Sequence, residues 1–143
     1  MPHKYPPGMS RDYMFNEQAL AVETDDPVLL EEGTLDGLLY WPDCVCTLGK
    51  PIEAHVRTLK TARRPVAVVL DGDAWQEGDR FALRLRHFEG VSAGAVRLPP
   101  GSDPNDRKRI SPADVRRAAR ECIGAGRPVV VKELTRSYDV DPV

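Results

Sequence analysis

The sequence predicts an α/β protein built on a parallel β-sheet of four to five strands flanked by helices. Three observations carry that prediction. Pro65-Val66-Ala67-Val68-Val69-Leu70 is a continuous apolar run, the pattern of a strand buried on both faces of a parallel sheet. Short strand-like runs alternate with segments of helical period, joined by short connections, which is the order of repeated βαβ units. The chain has 143 residues, 41% hydrophobic and 29% charged, which suits one domain of roughly 100–200 residues. That composition excludes collagen-like, low-complexity and disordered classes.

The elements follow in order. Pro2, Pro6, Pro7 and Gly8 make residues 1–22 an extended arm. Val28-Leu29-Leu30, after Asp25-Asp26-Pro27, reads as a short buried strand. Leu35, Leu38 and Leu39 recur at helical spacing until Pro42 stops them. Cys44-Val45-Cys46-Thr47 is a second short strand, closed by Gly49. Pro51 suits the first turn of a helix whose apolar face is Ile52, Val56 and Leu59. The strand at residues 65–70 precedes a helix striped by Phe81, Leu85 and Phe88, and residues 93–98 give a fourth strand. Ser111-Pro112-Ala113-Asp114 reads as a capping box with proline at the first helical position. Val115, Ala118, Ala119 and Cys122 form that helix's buried face, and Gly124 or Gly126 ends it. A fifth strand is expected within residues 128–134, so that 23–126 form the α/β domain and 127–143 a C-terminal strand and tail.

No apolar run approaches the ~20 residues of a membrane helix, and the first twenty residues lack a signal peptide's apolar centre. Three cysteines, an odd number, do not make a secreted disulfide framework, and a cytoplasmic location is expected. Cys44, Cys46 and Cys122 with His3, His55 and His87 show no zinc spacing, so no zinc is expected and the thiols read as small buried hydrophobes. The net charge is only −2, but it is segregated. Residues 12–43 hold nine carboxylates and no Lys or Arg. Basic clusters follow: Arg57, Lys60, Arg63 and Arg64; Arg80, Arg84 and Arg86; and Arg107, Lys108, Arg109, Arg116, Arg117 and Arg120.

In open parallel sheets ligands bind beyond the carboxyl ends of the strands. Three acidic groups stand at such ends. Glu31-Glu32-Gly33 closes the first strand, with Asp36 four residues after Glu32; Asp71-Gly72-Asp73 closes the strongest strand; Asp103-Pro104-Asn105-Asp106 follows the fourth. Carboxylates gathered on one edge repel unless protonated or neutralised. Oxygen donors without a His or Cys cluster suit Mg2+ or Mn2+. A DxD after a strand is also a common helix cap and turn; three acidic elements at strand ends are harder to explain by folding alone.

These residues resemble the Toprim domain, in particular that of bacterial DnaG-type primases. Glu32-Gly33-Thr34-Leu35-Asp36 resembles its glutamate motif and Thr47-Leu48-Gly49 the turn after its second strand. Val68-Val69-Leu70-Asp71-Gly72-Asp73 resembles its DxD motif. Leu98-Pro99-Pro100-Gly101-Ser102-Asp103-Pro104-Asn105-Asp106 is similar to the primase signature LPxGxDPD. Lys4-Tyr5-Pro6-Pro7-Gly8-Met9-Ser10-Arg11 resembles the segment just ahead of the primase domain. The likeness spans residues 4 to 123. It departs after Asp73, where the family's AGR becomes Ala74-Trp75-Gln76-Glu77-Gly78-Asp79-Arg80, and at Asn105, where many primases carry aspartate and Asp106 is the substitute.

The resemblance implies a Rossmann-like Toprim fold over residues 23–126 and Mg2+- or Mn2+-dependent nucleotidyl transfer, with RNA primers made on a DNA template from NTPs. It implies Glu32, Asp71 and Asp73 as catalytic residues and Glu32, Asp36, Asp71, Asp73, Asp103 and Asp106 as metal ligands. Lys4 and Arg11 would face the nucleotide; Lys50, on the turn after Gly49, is a further nucleotide-phosphate candidate, against the plainer reading of solvent exposure. It also implies a second chain carrying the N-terminal primase core and zinc module, neither of which fits in this length, with a helicase as a further partner. Arg80, Arg84 and Arg86 are candidates for template phosphates, Arg80 and Arg84 lying in one helical row with His87, against the plainer reading of a solvated face. Two rivals stand beside the primase reading. One is a small Toprim nuclease, which needs the carboxylates but not the arm. The other is a catalytically dead nucleic-acid-binding module, which Glu32, Asp71 and Asp73 argue against.

Overall fold

The strongest apolar run becomes the central strand. In the computed structural model, which describes residues 13–51 and 53–134, five parallel strands form one sheet: β1 (Val28–Glu31), β2 (Cys44–Cys46), β3 (Val66–Val69), β4 (Ala93–Arg97) and β5 (Val129–Val130). Their order is β2-β1-β3-β4-β5. The helices are α1 (Thr34–Leu38), α2 (Glu53–Leu59), α3 (Trp75–Phe88) and α4 (Pro112–Cys122), with 3-10 turns at Glu17–Ala21 and Gly72–Ala74. The predicted α/β class with flanking helices therefore holds.

Period-two alternation along β3 divides the core into two layers. Val66, Val68 and Leu70 join Val28, Leu30, Val45, Ala93 and Ala95 against α2 and α3, through Val56, Leu59, Ala82 and Leu85. Ala67 and Val69 join Leu29, Cys44, Val96 and Leu98 against Tyr40 and α4, through Val115, Ala118, Ala119 and Cys122. The α4 face matches its expected residues, and Ser111 caps the helix by accepting a hydrogen bond from the Asp114 N–H. The Asp114 carboxylate pairs instead with Arg117, so the box is closed on one side only.

Four expectations change. The buried residues of α3 are Gly78, Ala82 and Leu85, whereas Phe81 is half-buried and Phe88 is 77% exposed. Gly78 lies directly over Leu70 and Val68, so the helix approaches the sheet on small residues and its phenylalanines fall at the margin. Leu35 and Leu38 are exposed, and the buried residue of the short α1 is Gly37, where a Cβ would overlap the Cys46 sulfur. The last strand is two residues rather than a run through 134: Val131 still donates to the Arg97 carbonyl, but Leu134 turns away to the carbonyl of Arg109. The expected arm is packed as far as it is described. Phe15 forms an antiparallel bridge to Cys46, and Met14 and Leu20 enter the core. Residues 1–12 lie outside the described residues.

Candidate metal centre

The sheet order reverses direction between β1 and β3, the strand pair at which doubly wound folds open a crevice beyond their carboxyl ends. The acidic motifs stand at that edge. At the end of β1, the N–H groups of Thr47 and Leu48 donate to the carbonyls of Glu31 (2.9 Å) and Glu32 (2.8 Å), tying the turn after β2 to the glutamates. Leu48 holds a left-handed φ of 62°, and the Thr47 hydroxyl bonds back to Gly49 across the same turn. Asp36 lies in the first turn of α1.

The end of β3 is stitched to the loop after β4. The Gly72 N–H donates to the Ser102 carbonyl (2.8 Å), and the Asp73 carboxylate accepts from the Gly101 N–H (3.1 Å). A Cβ on Gly72 would overlap the Pro99 carbonyl, so only glycine lets the two loops approach this closely. Within the second loop the Ser102 hydroxyl donates to Pro99, and the Asp103 carboxylate accepts from the Asn105 N–H (2.8 Å). Tyr40, just after α1, donates its hydroxyl to the Pro104 carbonyl (3.0 Å). The loops carrying Glu32, Asp36, Asp71, Asp73 and Asp103 are thus held by direct hydrogen bonds.

Their electrostatics show a shared excess of negative charge. Burial, then Asp103 and Asp71, raise the Asp36 carboxyl to about 6. Burial, then Asp71, raise Glu32, and Lys50 partly offsets this. Burial, then Asp103 and Asp73, raise Asp71. Asp106 faces elsewhere: its carboxylate lies 4.0 Å from Arg109, and Asp103 rather than Asp106 acts on Asp36 and Asp71. Among the described residues no three His, Cys, Asp or Glu side chains are already arranged to hold a metal ion. The carboxylates are neighbours that do not converge on one point. A hard cation such as Mg2+ keeps several waters and takes only one or two carboxylates together with substrate phosphates, so this open, all-oxygen donor set fits it.

Lys50 is exposed beside Glu32. Lys4 and Arg11 lie outside the described residues. The α3 row is divided: Arg80 is exposed, Arg84 is clamped in bidentate fashion by Glu53, and Arg86 donates to the Ala93 carbonyl (3.3 Å). Cys44, Cys46 and Cys122 are free and buried.

Two residues of this region were named in the sequence without a role. Glu31 is 0% exposed and neither of its carboxylate oxygens has a hydrogen-bond partner. Burial pushes its carboxyl well above the usual range, and Cys44 and Asp36 add to the effect. The signal lay in the alternation that turns Leu29, and therefore residue 31, toward the α4 layer. Arg109 braces the centre from outside, donating to the Pro100 carbonyl (2.9 Å) and pairing with Glu133.

No family model matches this chain, and neither does any curated protein or solved structure. What the fold and site define is a class: a five-stranded, all-parallel α/β protein with an acidic centre at the reversal of its strand order.

Proposed function

We propose that this chain is a Toprim-type catalytic domain of the primase kind, transferring nucleotides in a Mg2+- or Mn2+-dependent reaction. The observation that carries the reading is the acidic centre. Asp71, Asp36, Glu32 and Asp103 come from three loops at the sheet's carboxyl edge, and burial and mutual repulsion hold the first three carboxyls above their ordinary range.

Asp71 and Asp103 would hold the cation, with Asp36, Glu32 and Asp73 beside them. When bound, such a cation neutralises phosphoryl charge and activates an attacking oxygen. Glu32, half-buried with a raised carboxyl, suits proton transfer to or from a reacting oxygen. Asp73 holds the loop after β4 in place through Gly101. Lys50 would meet a phosphate, and Lys4 and Arg11 of the arm the triphosphate. A partner chain supplying the rest of the primase core suits the surface of α1, where Leu35 is 71% exposed and Leu38 and Trp41 are exposed as well.

The test is primer synthesis on a single-stranded DNA template with NTPs and Mn2+. The chain alone should be nearly inactive and gain synthesis with its partner. Asp71→Asn should abolish that gain, and Lys4→Ala with Arg11→Ala should weaken nucleotide use. Metal-dependent cutting by the purified chain, indifferent to Lys4 and Arg11 and lost in Asp71→Asn, would assign the same carboxylates to a nuclease.

A further inference from the structure

Several of the basic residues are committed within the fold. Arg64 is buried, donating to the carbonyls of Ala19, Asp26 and Pro27 and pairing with Asp43. Arg97 stacks on Trp75, Arg116 meets Asp43 and the Tyr40 ring, and Arg117 bridges Asp114 and Glu121. Arg84 is spent on Glu53 and Glu89, and Arg109 on Glu133 and Asp106. In the loops that follow β2 and β4 three exposed cations have no side-chain partner among the described residues: Lys50 after β2, and Arg107 and Lys108 after β4.

Their placement is specific. The acidic centre has two basic rims: Lys50 follows β2 beside Glu32, and Arg107 and Lys108 follow Asp103 in the loop after β4. Both rims are fixed. The turn carrying Lys50 is bonded to the glutamate carbonyls at the end of β1. The loop carrying Arg107 and Lys108 is pinned over α1 by the hydrogen bond from Tyr40 to Pro104, and Arg107 donates its backbone N–H to Asn105. Asp36 and Arg107 act in opposite senses on the Tyr40 phenol, so this cation and this carboxylate share one neighbourhood.

We infer that Lys50, Arg107 and Lys108 form a phosphate track that lays a nucleic-acid strand across the acidic centre. This deepens the proposed function and rests on it. Phosphates on the two rims place an intervening phosphate over the carboxylates, where an exposed polyanion approaches only with a cation between.

The experiment is equilibrium binding of a fluorescent single-stranded DNA oligonucleotide to the full chain in Mg2+, read by anisotropy across a salt series, with strand integrity checked on a gel. Arg107→Ala/Lys108→Ala should weaken binding several-fold and flatten the log–log salt slope by about 1–2, and Lys50→Ala by about 1. Arg63→Ala, an exposed cation just before β3 at the opposite end of the sheet, should leave both unchanged. Wild-type binding with an undiminished slope in the Lys50/Arg107/Lys108 triple variant overturns the track and leaves the proposed function standing. So does a larger slope change in Arg80→Ala, which places the strand on α3. No binding by wild type, together with no thermal response to Mg2+ or Mn2+, overturns the proposed function as well.

Discussion

At Glu31 the fold buries a carboxyl whose oxygens find no hydrogen bond, an arrangement that lowers stability unless something else needs the group. Glu31→Leu keeps the approximate volume and removes the unpaired polar atoms. It should raise the unfolding free energy in urea by roughly 1–3 kcal/mol. A loss of stability would mean that the carboxyl has a partner in solution. Asp36 makes the complementary case for pH. Burial, then Asp103 and Asp71, raise its folded pKa to about 6, against an ordinary value of 3.8. The folded state therefore holds this proton more tightly than the unfolded chain. The stability it contributes is complete below the ordinary value and is lost as pH rises through about 6. In EDTA the melting temperature should fall between about pH 4 and pH 6.5 on this account. Asp36→Asn should reduce that fall and melt higher than wild type at neutral pH; an equal fall in the variant would contradict the assignment.

At the scale of elements, β3 and α4 were the most legible parts of the sequence. Continuous apolarity has one reading in a short run between helices, and Ser111 with Pro112 marks a helix start by local chemistry alone. Ser111→Ala should cost about 1 kcal/mol of unfolding free energy, measured in urea; no change would mean that the 3.4 Å cap bond is idle. The helices α1 and α3 were misread in their faces. Periodicity counts large side chains, whereas close approach to the sheet is made by Gly37 and Gly78. Gly72 belongs with them. Its requirement comes from Pro99, a contact that no spacing rule announces. Gly72→Ala should cost roughly 1–3 kcal/mol or more and weaken metal binding as the β3 and β4 loops separate, both measurable by thermal melts with and without Mn2+. A variant as stable and as metal-responsive as wild type would refute the stitch.

Across the whole molecule, the acidic centre was legible because strand order decides which loops share an edge, and short apolar strands ending in Glu32, Asp71 and Asp103 could be placed on one. Commitments between distant residues were not. Arg84 meets Glu53 across 31 positions of sequence and Arg109 meets Glu133 across 24, and these pairs remove cations that had looked free. Asp106 likewise faces Arg109 instead of completing the carboxylate group. What remains is a sheet edge with excess negative charge at its middle and uncommitted positive charge on its rims. The most direct test is the thermal melt of wild type and Asp71→Asn with EDTA or Mn2+. Mn2+ should stabilise wild type by about 2.7 kcal/mol at a hundredfold excess over Kd, a shift of several degrees. In EDTA, Asp71→Asn should melt at or above wild type, because losing one charge relieves its neighbours, and Mn2+ should barely move it. An undiminished Mn2+ shift in Asp71→Asn, or none in wild type, would contradict the assignment of this edge as a metal centre.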